Sequence, residues 1–171
     1  MNFMSLNKLK EDLLAQTLFT KKNDEEYKRV CNLLDELFSS QEIEEYYLYS
    51  EYDILEIQDY LIIWILVKEN LLEIDFNLNS SRIDCLALST IKRFEATEYK
   101  AEKREGKVFP PAYNVKLYHD VGIVTAHRQM DSGSEDLTSL TSVSTIISAE
   151  GNEILKLKKF TEKIRKKVFG I

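Results

Sequence analysis

Two histidines, two cysteines and a run of serines are the side chains in this sequence best suited to making or breaking bonds. His119 and His127, with Asp120 between them, could offer ligands to zinc. A structural zinc site wants four ligands, however, and a catalytic one wants three and a water. Arg128 beside His127 also disfavours a bound cation, and a turn at Asp120-Val121-Gly122 would leave the two histidines offset across a hairpin. Cys31 and Cys85 belong to no CxxC pair and read as reduced, buried thiols. The serines between Ser132 and Ser148 form a low-complexity loop rather than part of a triad. The sequence contains no GxSxG, no HExxH and no glycine-rich phosphate loop. No catalytic, cofactor or metal site is expected.

Charge gives two stronger candidates. The last stretch, KLKKFTEKIRKKVFG, is dense in base although the chain carries a net charge of −6. From Asn152 to Ile171 there are seven bases and two acids, so +5, which leaves −11 for the remainder. Ile154, Leu157, Phe160, Ile164 and Val168 recur every three or four residues, the mark of an amphipathic helix. Lys158, Lys159, Lys163, Lys166 and Lys167 would then line its polar circumference and could grip a polyanion or an anionic membrane. The competing reading makes the apolar stripe a lid on a sheet and the lysines its wet side, stabilised near the helix C-terminus by the dipole. No aromatic residue is interleaved on the basic face to stack bases, which argues against nucleic acid.

The second candidate is the acidic, aromatic segment QEIEEYYLYSEYDILEIQDY. Between Ser40 and Phe76 ten acids face one base, Lys68. Glu44, Glu45, Tyr47, Tyr49 and Tyr52 are the residues expected to dock a protein partner, since tyrosine supplies contact area at low entropic cost. The plainer alternative is a solvated edge with tyrosines half buried between helix and sheet. The segment lacks the residue order of a calcium loop.

The elements that must carry these residues follow from periodicity. At 171 residues, 44% apolar and 30% charged, the chain can bury a sizeable core. Its longest apolar run, Leu61–Val67, is too short to span a bilayer. The opening MNFMSLNKLKEDLLAQ argues against a secretory signal, so the cytoplasm is the expected compartment. Leu6, Leu9, Leu13, Leu14 and Leu18 predict one helix. A second, capped at Asn23 or Asp24 and closed by Ser39-Ser40, carries Tyr27, Val30, Cys31, Leu34 and Phe38 on one face. From about Glu45 the period changes to that of strands: EYYLYS, DYLIIWILV, LLEIDFNL, RIDCLAL and TIKRFEATEY. With no glycine or proline before Gly106, turns fall to residues such as Lys68-Glu69-Asn70 and Asn79-Ser80-Ser81. KAEKREGKVFPPAY is expected as a charged loop, DSGSEDLTSLTSVS as a Ser-rich stretch that is mobile at its start. NVKLYH, IVTAHRQ and STIISAE complete the strands.

This order of strands resembles the pleckstrin-homology-like (PH-like) superfold over about residues 45–169. Leu88-Ser89-Thr90-Ile91-Lys92-Arg93-Phe94-Glu95 looks like that family's entry to a middle strand. Thr145–Glu153 running into Ile154–Val168 looks like its last strand and capping helix. The resemblance implies binding of phosphoinositides, peptides or proteins rather than catalysis. Members that hold inositol phosphates place several bases after the first or second strand, where this chain offers Lys68 among acids. A protein partner is thereby favoured over a lipid headgroup.

The expected fold is α+β: an N-terminal helical hairpin (1–42), then a PH-like domain (43–171) with a curved antiparallel sheet of about seven strands and a C-terminal amphipathic helix. The expected function is a non-catalytic intracellular module that binds another protein or its own copy. Peripheral membrane or polyanion binding through the basic helix is the first alternative, and an enzyme with an unrecognised pocket the second.

Overall fold

A computed structural model describes residues 6–16, 24–38, 43–53, 58–76, 81–130 and 133–171. In chain order they form α1 (Leu6–Leu14), α2 (Asp24–Phe38), β1 (Glu45–Asp53), β2 (Gln58–Val67), β3 (Asn70–Phe76), β4 (Ser81–Ala87), β5 (Ile91–Tyr99), β6 (Glu102–Arg104), β7 (Lys107–Phe109), β8 (Ala112–Met130), β9 (Gly133–Glu150) and α3 (Ile154–Phe169). The class is α+β with antiparallel pairing, and the main strands are divided between two open sheets, β1-β2-β3-β4 and β5-β8-β9, with β6-β7 a separate ribbon. Two compact units result: Met1–Leu88 with Leu155–Ile171, and Ser89–Ile154. Leu18, the Asn23 capping position, the Ser39-Ser40 helix end and the Asn79-Ser80 turn lie outside the described residues.

In the first unit the sheet is covered on both faces. Alternation along a strand sends neighbouring side chains to opposite sides, so the apolar run of β2 supplies two cores at once. Leu61, Ile63, Ile65 and Val67 join Leu9 and Leu13 of α1, Val30, Leu34 and Phe38 of α2, and Ile74 and Phe76 of β3. Trp64 and Leu66 are buried on the other face, with Tyr47 and Leu71 on the same side by register. There α3 lies on the sheet, its Phe160 ring 6.1 Å from that of Tyr47. The leucine stripe of α1 is narrower than its sequence spacing predicts: Leu9 and Leu13 are buried, while Leu14 is half exposed. Polar bonds fix the helical layer. Lys10 meets Asp35 at 2.6 Å, Tyr27 Oη donates to the Lys10 carbonyl at 3.0 Å, and Tyr46 Oη donates to Asp12.

In the second unit β8 lies between β5 and β9. Among its described residues Ile91, Val115, Leu117, Ile147 and Ala149 are buried. The opposite face carries a polar ladder in which Arg93 meets Glu95 at 3.0 Å and Tyr118 Oη donates to Glu95 at 3.1 Å.

Three expectations from the sequence are corrected here. Asp120-Val121-Gly122 does not reverse the chain. Between the pairs Asp120↔Ser142 and Ile123↔Leu140, β8 holds two residues against one in β9, which is a bulge inside a continuous ladder. The reversal comes after Met130, and Gly133 onward is strand rather than mobile loop. Likewise the charged stretch after Tyr99 is a β-ribbon, because Glu105 and Gly106 both take left-handed backbone (φ 49° and 79°) and make a tight two-residue turn.

Candidate functional site

The two charged segments singled out in the sequence meet each other. β1 brings Glu45 to the sheet face that α3 covers, and the 3.6-residue period of α3 brings Lys163 and Lys167 to that flank. Lys163 Nζ lies 2.6 Å from Glu45 Oε2 and also donates to the Glu44 carbonyl at 3.2 Å. Lys167 Nζ lies 3.0 Å from Glu44 Oε1 and donates to the Lys68 carbonyl at 2.8 Å, with Glu69 at 3.9 Å. The second lysine therefore ties the last turn of α3 both to Glu44, the residue before β1, and to the β2–β3 turn. Lys68 holds φ at 49° in that turn, a left-handed conformation unusual for a residue with a Cβ.

Burial ranks these contacts. The Glu45 carboxylate is only 7% exposed, against 40% for Lys163. A carboxylate so enclosed must be matched by a cation or a donor, and Lys163 supplies one. Tyr47 is 2% exposed, its ring against Phe160. Glu45 and Tyr47, expected on a docking surface, are thus inside the helix–sheet seam, and an approaching partner cannot reach them. Glu44 is mostly covered and Tyr49 half-buried. Tyr52 lies in β1 opposite Asp59, with its side chain outside the described residues. Of the remaining lysines, Lys166 pairs with Glu162 one turn away at 3.0 Å, which holds the Glu162 carboxyl below its ordinary value. Lys158 is half-buried and Lys159 exposed.

The histidines do not assemble a metal site with each other, since both lie on β8, eight residues apart. His119 Nε2 instead contacts Thr145 Oγ1 at 3.1 Å. Cys31 is half-buried and Cys85 exposed, so the expectation of two buried thiols fails at Cys85, which sits on an edge strand.

Sequence reading passed over a third set of charges, on β3 and β4. Arg82 Nε is 3.1 Å from Asp84, and its guanidinium is 3.8 Å from Glu73 and 3.9 Å from Asp75. Three carboxylates share one cation. Burial raises the Glu73 carboxyl above its ordinary value; Arg82 opposes the shift, and Asp84 and Asp75 add to it. β4 itself is exposed at every position from Ser81 to Cys85. The signal was present as R-I-D, two opposite charges flanking one apolar residue, but such spacing is common in solvated strands.

Comparison with protein-family models, with curated proteins and with solved structures finds no match.

Proposed function

We propose that this chain is a non-catalytic protein-interaction module of the cytoplasm, built on a PH-like scaffold. The observation that carries the reading is the bare edge of the four-stranded sheet. Among the described strands β4 has a neighbour on one side only, and its exposed stretch Ser81–Cys85 turns backbone donors and acceptors outward, the feature that β-strand addition uses. Support for the scaffold is the direct passage from the last strand, β9, through one 3-10 turn at Gly151–Glu153 into α3. The ion pairs of Lys163 with Glu45 and of Lys167 with Glu44 weigh against the polyanion alternative, because those lysines are already committed within the protein.

A photoreactive amino acid at Ser81, with the same residue at Lys116 on the second unit as a control, tests the reading in living cells. Protein adducts specific to Ser81 are expected. No adduct above the Lys116 control, or recovery of the chain on anionic vesicles in a salt-sensitive manner, would overturn it.

A further inference from the structure

The two edges of the four-stranded sheet are not alike. Among the described strands each edge has one neighbour, β2 for β1 and β3 for β4, but Glu45 and Tyr47 of β1 are buried under α3, whereas Ser81–Cys85 of β4 are exposed. Half of its backbone N–H and C=O groups therefore point away from the sheet. Edge strands are commonly guarded by proline, by a bulge, or by charges of one sign that repel a second edge. SRIDCLA has no proline, and its ladder to β3 is regular. Its two charges, Arg82 and Asp84, have opposite signs, project from the same face, and flank Ile83 symmetrically. That pattern attracts its own copy.

We infer that two copies of the chain pair through β4, antiparallel, about a two-fold axis at Ile83, joining two four-stranded sheets into one of eight. This deepens the interaction-module reading and rests on it. In this register Arg82 of each copy stands directly across from Asp84 of the other, and Ile83 stands across from Ile83 on the opposite face. Direct cross-strand pairs of opposite charge stabilise a ladder, and like charges there destabilise it. Shifting the axis to either neighbouring residue sets Arg82 against Arg82 or Asp84 against Asp84, so charge favours this register over both neighbours. The pairing also brings a second guanidinium to Asp84, on a face where one arginine now serves three carboxylates. Ile83, 39% exposed in one copy, gains an apolar neighbour.

Sedimentation velocity on the full chain, from low micromolar to several hundred micromolar, reads the outcome. The unaltered protein is expected to dimerise. Arg82→Asp and Asp84→Arg are each expected to remain monomeric, because each places four like charges at the seam. Mixed together they are expected to form a heterodimer, since the charges are complementary again. The heterodimer also shows that both variants are folded. A second variant, Ser81→Cys with Cys31→Ser, should cross-link to the native Cys85 of the other copy on mild oxidation, because Ser81 and Cys85 face each other in this register and antiparallel neighbours lie within disulfide reach. A monomeric unaltered protein, a dimer indifferent to both charge reversals, or a mixture that stays monomeric overturns the seam. If the protein is monomeric while photoreactive Ser81 still captures a different protein, the seam alone is lost. If neither self-association nor adducts appear, the module reading falls too.

Discussion

Lys163 of α3 and Glu45 of β1, 118 residues apart in the chain, meet at 2.6 Å with the carboxylate almost wholly enclosed. Breaking one partner of such a pair strands the other charge, which costs more than the pair contributes when intact. Lys163→Met is therefore expected to lower unfolding free energy by about 1–3 kcal/mol, the lysine being partly solvated. Adding Glu45→Gln should restore most of that loss. Urea denaturation of the two single variants and the double variant measures the coupling, and additive losses would show that the pair acts as two independent groups.

The lid itself depends on apolar contact more than on charge. Leu157, Phe160 and Ile164 are buried, whereas Leu155 on the outer side of the same helix is 77% exposed. Phe160→Ala should cost about 3–5 kcal/mol by leaving a cavity beside Tyr47. Leu155→Ala should change stability by less than about 0.5 kcal/mol. Thermal unfolding of the two variants separates a packed helix from one lying free in solvent.

Much of this was legible in sequence, for identifiable reasons. β3 alternates cleanly, and Leu61–Val67, apolar at every position, is a strand covered from both sides. The heptad-like spacing from Ile154 to Val168 marked α3 as a lid. What periodicity does not encode is which charged residues meet across distance. The acids after Ser40 and the lysines after Lys156 read as two solvated surfaces, yet Glu44, Glu45, Lys163 and Lys167 neutralise one another. The long β8–β9 hairpin was missed because Gly122 marks a bulge as readily as a turn, and serine and threonine in β9 lack the apolar alternation of a half-buried strand.

Glu73 gives a pH-dependent test. Burial raises its carboxyl, so the folded state holds the proton more tightly than the unfolded state does. Its ionised form thus destabilises the fold at neutral pH, and the penalty fades as pH falls through the raised folded value and vanishes below the unfolded one. Glu73→Gln should therefore raise stability at neutral pH, by less than about 1 kcal/mol because the group is partly solvated. The difference from the unaltered protein should narrow under acidic conditions, as followed by denaturation across pH.

The β2–β3 turn offers a gain in stability without touching the core. Asparagine tolerates the left-handed backbone that Lys68 adopts, and the Lys68 group bound by Lys167 is a main-chain carbonyl that any residue retains. Lys68→Asn is expected to stabilise the protein by up to about 1 kcal/mol. A lowered melting temperature would mean that the lysine side chain contributes more than its backbone costs.

Hydrogen exchange of the α3 amides, with and without anionic vesicles, asks most directly whether the basic helix is a lid locked onto β1. Protection from Leu157 to Ile164 should be comparable to that of β2 in free solution, unchanged by vesicles, and reduced selectively in a Lys163→Met/Lys167→Met variant. An α3 that exchanges freely alone and becomes protected only on vesicles would contradict the account.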